Sequence, residues 1–335
     1  MRLPARFGCC VLASCLCWLA CAPRAHAVIL MDKADRNTRE PHGSLVGSGW
    51  QWQGQFGAFL GTPIARNYFI TSGHVGGEPG QTFVFNGQTY TTTAFYDDPK
   101  TDLRIWKVDG KGFDTWAPVF KDASSDTRRS VVIFGRGTQR GAEVAQNGQL
   151  KGWQWGEADG AQSWGRNWIA GVVDGGPQRG DLLYFTFDQN VTSHEGTLSA
   201  GDSGGGVFVK HGTRWKLVGI NTSVDGPFAH NASEEPFNAA LFDKGGMYSP
   251  RLNGGSTVDD TTNDIPAVAY VTRIATNMEW INGVLRGQVS PGGTLGGPDG
   301  TPGGVPEPTG ALITLGALGA MTLMRRGFHR RASPK

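Results

Sequence analysis

Short apolar runs recur along the middle of the chain, at residues 83–85, 103–108, 131–134, 182–187, 207–209 and 217–220. Each spans only a few positions, several alternate apolar with polar residues, and each is bounded by Gly, Asn, Asp or Pro. This is the pattern of strands joined by turns. A helical period is convincing only near the end of the body, where Ile274, Met278, Ile281 and Leu285 recur at spacings of three and four. The expected class is therefore all-β, mostly antiparallel, with a C-terminal α-helix. No internal repeat divides the body, and residues 28–286 are expected to form one functional domain.

The two ends depart from this pattern. Arg2 and Arg6 precede an apolar stretch over 7–22 and then Ala25-His26-Ala27, an A-x-A cleavage signature, so residues 1–27 are expected to be a signal peptide. Residues 287–304, GQVSPGGTLGGPDGTPGG, have the composition of a solvated linker. Beyond them come Val305-Pro306-Glu307-Pro308, an apolar run over 309–324 and a tail holding Arg325, Arg326, Arg330, Arg331 and Lys335. The apolar run is short for a permanent membrane span, and its flanking arginines favour a cytoplasmic tail. The order of these three parts over 305–335 resembles the PEP-CTERM sorting signal of Gram-negative bacteria. That resemblance implies export across the inner membrane, transient membrane insertion of 309–324, processing by an exosortase-type enzyme, and a cell-surface or extracellular location. An ordinary C-terminal anchor would also place the body outside the cytoplasm.

Composition narrows the chemistry. All 5 cysteines, from Cys9 to Cys21, fall within the expected signal peptide. The body then has no disulfide, no thiolate metal site and no cysteine nucleophile, so its stability must come from core burial. The formal net charge is +2, and no basic stripe interleaved with aromatics suggests nucleic acid. Tryptophans group at Trp50 and Trp52 and at Trp153, Trp155, Trp164 and Trp168, either as core residues or as a carbohydrate-binding face. With Gly at 51 of 335 residues, a glycine pair alone carries little weight, and a motif must rest on its other residues.

Three stretches supply the parts that a reactive serine needs, namely a base, an orienter for that base and donors for an oxyanion. Thr71-Ser72-Gly73-His74 ends an apolar run, Asp102 heads the alternating run 103–108, and Gly201-Asp202-Ser203-Gly204-Gly205 places a serine among glycines. Asp97, Asp98 and Asp109 compete for the acid's place, and His194 reads as a loop residue.

Together these stretches resemble the motifs of trypsin-like, chymotrypsin-fold serine proteases, in that family's chain order of His, Asp and Ser. Residues 61–70, Phe134-Gly135-Arg136-Gly137, 217–222 and 270–282 extend the likeness. It implies two antiparallel six-stranded β-barrels and a serine endopeptidase with His74, Asp102 and Ser203 as catalytic residues. It further implies an oxyanion hole at Gly201 and Ser203 and a substrate pocket at Thr197, Thr222, Ser223 and Val224. A protein or peptide substrate is implied, with no metal and no cofactor. Thr197 at the pocket floor is uncharged, which disfavours cleavage after Arg or Lys; Asp225 and Glu195 lie near in sequence.

Departures from the family are also visible. Val75 and Ser199 stand where half-cystines are common, His74 and Asp102 are close together, and residues 226–264 form a long insertion. If cleavage after Ala27 frees Val28, the resemblance implies that this new N-terminus pairs with Asp202. The alternative to an enzyme is a catalytically silent, protease-shaped surface binding or matrix protein.

Overall fold

A computed structural model describes residues 28–294. The expected signal peptide, the later part of the linker and the expected sorting signal lie outside these residues. Among the described residues no helix is long and apolar enough to cross a membrane.

The first half closes into a six-stranded antiparallel barrel. Gly54–Phe56 pairs with Phe59–Ala65, which pairs with Tyr68–Ser72, then Leu103–Val108, then Gln88–Asp97, then Thr82–Phe85, and the last returns to Gly54–Phe56. Closure removes the exposed edges of the sheet. The interior is aromatic, with Phe56, Phe69, Phe83, Phe85, Trp106 and Phe113 almost fully buried. Phe69 and Phe83 stack at 3.9 Å between ring centroids. Two glycines make room for that stack: a Cβ on Gly54 would meet the Phe83 ring at 2.2 Å, and one on Gly61 the Phe69 ring at 2.6 Å.

The second half is a sheet ordered Ser163–Trp168, Ser130–Gly135, Gly206–His211, Arg214–Val224, Val268–Arg273, Asp181–Thr186 and Gly171–Asp174. It curls until strands Ser163–Trp168 and Asp181–Thr186 approach each other. Its mostly aliphatic interior includes Val131, Ile133, Leu183, Val207, Val218 and Val271, with Phe185 among them. A third apolar cluster joins the halves, with Leu60 and Ile70 of the first barrel against Phe134, Phe208 and Ile220 of the second. The chain is thus all-β with a chymotrypsin-like fold. A 3₁₀ turn at Ala275–Asn277 leads into the helix Met278–Leu285, whose Ile281 and Val284 are buried, so the true α-helix is shorter than its periodicity suggested.

Two segments are more ordered than their composition predicts. The insertion 226–264 carries the strand Ala239–Leu241, which pairs with Gln149–Ala158, and its Phe228, Leu241 and Met247 form a small core with Val144 of strand Thr138–Gln146. Lys151, almost fully buried, bridges Asp243 and Asp260 of the insertion. Within the expected linker, Gly293–Thr294 pairs with Phe95 and Ala94. Glycine permits this contact, because a Cβ on Gly292 or Gly293 would meet the Phe95 ring at 2.6 or 2.4 Å. Of the six grouped tryptophans only Trp168 is exposed, and Trp52 stacks on Phe208. They serve mainly as core residues and do not form a carbohydrate-binding face.

Candidate active site

The expected catalytic residues come from both halves. His74 sits in the 3₁₀ turn Gly73–Val75 that ends strand Tyr68–Ser72, and Asp102 precedes the neighbouring strand Leu103–Val108. Pairing of Ser72 with Leu103 brings these strand ends together. Gly73 N–H donates to the Asp102 carbonyl at 2.8 Å, and His74 N–H donates to Asp102 Oδ1 at 2.9 Å. Ser203 arrives from the second half, in the turn before strand Gly206–His211.

The three side chains form one line. His74 Nδ1 lies 2.6 Å from Asp102 Oδ2, and His74 Nε2 lies 2.8 Å from Ser203 Oγ. His74 and Asp102 are mostly enclosed, with side chains 15% and 17% exposed. Burial alone would raise the Asp102 pKa, but hydrogen bonding and charge from His74, with the Thr222 hydroxyl, hold the carboxyl below its ordinary value. The competing acids are engaged elsewhere. Asp97 pairs with Arg104, Asp98 binds Lys100 N–H and the Thr101 hydroxyl, and Asp109 accepts Thr91 N–H. His194 lies beside Asp32 and Trp164, apart from this line.

The loop around Ser203 is held by its backbone and by buried polar groups. Gly201 has φ +92°, and a Cβ there would meet Gly137 Cα at 3.0 Å. Gly204 N–H donates to Asn221 O and Gly205 N–H to Asp202 O, while the N–H groups of Gly201 and Ser203 have no acceptor among the described residues. Asn221 Nδ2 braces the loop by donating to Asp202 O at 2.9 Å and Phe134 O at 2.7 Å.

Asp202 itself is buried. Its carboxyl accepts the N–H groups of Gly137 and Ser199, the Ser199 hydroxyl and the Val28 N–H. Burial outweighs these donors and pushes its pKa up to about 6. Val28 is fully buried at φ +51°. Its Cγ1 occupies the space over Gly165 and Gly196, where a Cβ would approach it to 2.9 and 3.0 Å. The next residues, Ile29 and Leu30, pair with Thr197 and Gly196.

Thr197 is therefore buried in that short strand pair. Thr222 and Ser223 are also buried, and Val224 is half-buried at the end of strand Arg214–Val224. The Thr222 hydroxyl donates to Asp102 Oδ2 at 2.6 Å. Sequence reasoning placed Thr222 in the pocket wall and missed this contact, which only the pairing of the two halves creates. It also missed Lys244, whose Nζ lies 2.6 Å from Asp225 Oδ2; the Tyr270 hydroxyl donates to the other carboxyl oxygen at 3.2 Å. The flagged Glu195 is buried with both carboxyl oxygens free of side-chain partners, and burial beside Asp188 pushes its pKa up to about 8. Among the described residues no cluster of His, Cys, Asp and Glu is arranged to hold a metal ion.

No curated protein sequence matches this chain. Solved structures similar to it include human heparin binding protein, at 14% identity and TM-score 0.46, covering 74% of this chain and 95% of that one. Another is an inactive mutant form of Rv3671c from M. tuberculosis H37Rv, at 13% identity and TM-score 0.41, covering 76% and 100%. The profile of the trypsin-like peptidase domain matches residues 47–220, more than half of the sequence, and the chain belongs to the trypsin-like peptidases.

Proposed function

We propose that the protein is a secreted serine endopeptidase that cleaves peptide bonds through an acyl-enzyme. The observation that carries this reading is the unbroken line from Ser203 Oγ through His74 to Asp102. Neutral His74, protonated on Nδ1, accepts the Ser203 proton on Nε2 as Oγ attacks the substrate carbonyl carbon. Asp102 holds that tautomer and stabilises the imidazolium that forms. The carbonyl oxygen becomes an oxyanion facing the free N–H groups of Gly201 and Ser203, where one such donor contributes about 3 kcal/mol of barrier lowering. His74 then protonates the leaving amine. Water repeats the sequence on the ester, releasing the acid and regenerating Ser203.

The side chain before the cut is an uncharged one in this reading. Thr197 brings no charge to the pocket floor, and the nearby Asp225 carboxylate is occupied by Lys244 and Tyr270. The seat of Val28 against Asp202 fits activation by cleavage after Ala27, which would turn the Val28 N–H into an ammonium beside a buried carboxylate. Export, a sorting signal over 305–335 read by an exosortase-type enzyme, and a cell-surface location complete the proposal.

The test is hydrolysis of a denatured protein substrate, followed by mass spectrometry of the products. Fragments made by the parent chain and absent with Ser203→Ala support an endopeptidase. Absence of any Ser203-dependent fragment from folded material beginning at Val28 would favour a silent binding protein.

A further inference from the structure

A second concave feature lies far from Ser203. The connection between the halves, the helix Met278–Leu285 and the tip of the hairpin formed by Gly206–His211 and Arg214–Val224 enclose an open cleft of about 610 Å³. Arg214 stands at the hairpin tip, eight residues along an extended strand from Thr222. At about 3.3 Å per residue this places Arg214 roughly 26 Å along the strand from Thr222. A ligand held there leaves Ser203 open.

The lining combines two chemistries, with the hairpin contributing His211, Arg214 and Lys216 and the helix contributing Met278 and Leu285, while the connection supplies Trp116, Val119 and Lys121. One is apolar, with Trp116 43% exposed at the rim. The other is basic, from Lys121, Arg214 and Lys216 with His211. None of these four is in an ion pair with a described residue. Lys216 and His211 instead rest against the buried Phe120 ring, the lysine Nζ 5.9 Å from its centroid. The one acid in the lining, Asp122, accepts the hydroxyls of Ser124 and Ser125, which hold it ionised, and its charge acts on His211; Lys121, Arg214 and Lys216 still outnumber it.

We propose that this cleft docks an acidic peptide segment of a partner protein, one that alternates carboxylates with apolar side chains. An extended peptide presents successive side chains to opposite sides, so carboxylates face the basic residues while apolar side chains cover Met278, Leu285 and Trp116. An anionic polysaccharide would find a single exposed ring to stack on, and the aliphatic residues would remain uncovered. A nucleic-acid strand needs cations spaced along its backbone, whereas these gather in one short cleft.

Fluorescence anisotropy of a labelled peptide alternating glutamate and leucine, added to the full chain carrying Ser203→Ala to prevent cleavage, tests the proposal without reference to catalysis. The expected result is saturable binding that weakens with salt. It should fall about tenfold or more in Arg214→Glu/Lys216→Glu, since two exposed pairs are reversed. Trp116→Ser, a change at an exposed position, should weaken it independently. A peptide alternating glutamate and serine should bind at least about tenfold more weakly, because it leaves the apolar residues wet. Equal binding of that peptide, tighter binding of dextran sulfate, or unchanged binding by both variants would overturn the proposal.

Discussion

The Thr222 hydroxyl donates to Asp102 at 2.6 Å, on the same oxygen, Oδ2, that faces His74 Nδ1. One carboxylate oxygen thus receives a donor from each half of the molecule. Asp102 depends on both to stay below its ordinary pKa despite burial. Thr222→Val removes one donor, so the carboxylate becomes more basic. The expected outcome is a fall of about tenfold in kcat/KM, from about 1.5 kcal/mol lost with a hydrogen bond to a charged group. The acid limb of the pH–rate profile should move to higher pH, and Thr222→Ser should restore both. An unchanged profile in Thr222→Val would show that this hydroxyl does not support the acid.

The seat of Val28 yields a prediction about processing. Asp202 is a buried carboxyl whose bound donors are neutral, among them the Val28 N–H. A free α-ammonium at Val28 would place a positive charge directly against this carboxylate, and breaking a buried charge pair is costly. Chains beginning at Val28 should hydrolyse an active ester at least about tenfold faster than chains retaining several residues before it. Equal rates would remove the N-terminus from the mechanism.

Lys244 has a predicted role in specificity. It occupies the Asp225 carboxylate just beyond the expected pocket residue Val224. In Lys244→Met that carboxylate is released, and kcat/KM for substrates with arginine before the cut should rise about tenfold relative to alanine. Parallel assays of matched peptides measure the ratio. Strong arginine preference in the parent chain would contradict the pocket assignment.

Glu195 predicts how stability responds to pH. Its carboxyl is raised to about 8 by burial beside Asp188, so the folded protein keeps a proton that the unfolded chain releases near the ordinary glutamate value. Stability contributed by the neutral form is present below that value and is lost as pH rises through about 8. The slope approaches about 1.4 kcal/mol per pH unit within this window. Glu195→Gln should flatten it, as read from urea midpoints across the window. A parent chain whose stability rises with pH over the same range would contradict this.

The parts of the site legible in the sequence are those encoded locally. Strand Leu103–Val108, the histidine turn and the glycine loop each announce themselves within about ten residues, and chain order linked them. Contacts made by the closing of one half on the other left no local trace. Thr222 reads as a pocket-wall residue, with no sign of its bond to Asp102 until the hairpin carries it there, and Lys244 lies inside an insertion whose composition suggests only a loop. The order of that insertion depends on the pairing of Lys151 with Asp243 and Asp260 across long separations. The glycines at 292 and 293 read as linker residues because composition carries no sign of the Phe95 ring they cover. The grouping of tryptophans left core and surface roles open for a related reason, and only folding shows Trp50, Trp52, Trp153 and Trp164 in or against the core.

The central claim is that Ser203 is activated by His74. Labelling with a fluorophosphonate, which reacts with an activated serine hydroxyl, measures this directly in chains beginning at Val28. The account predicts rapid labelling at Ser203 in the parent, none in Ser203→Ala, and a loss of about a thousandfold or more in rate for His74→Ala. A folded parent that stays unlabelled, or a His74→Ala chain labelled as fast as the parent, would contradict it.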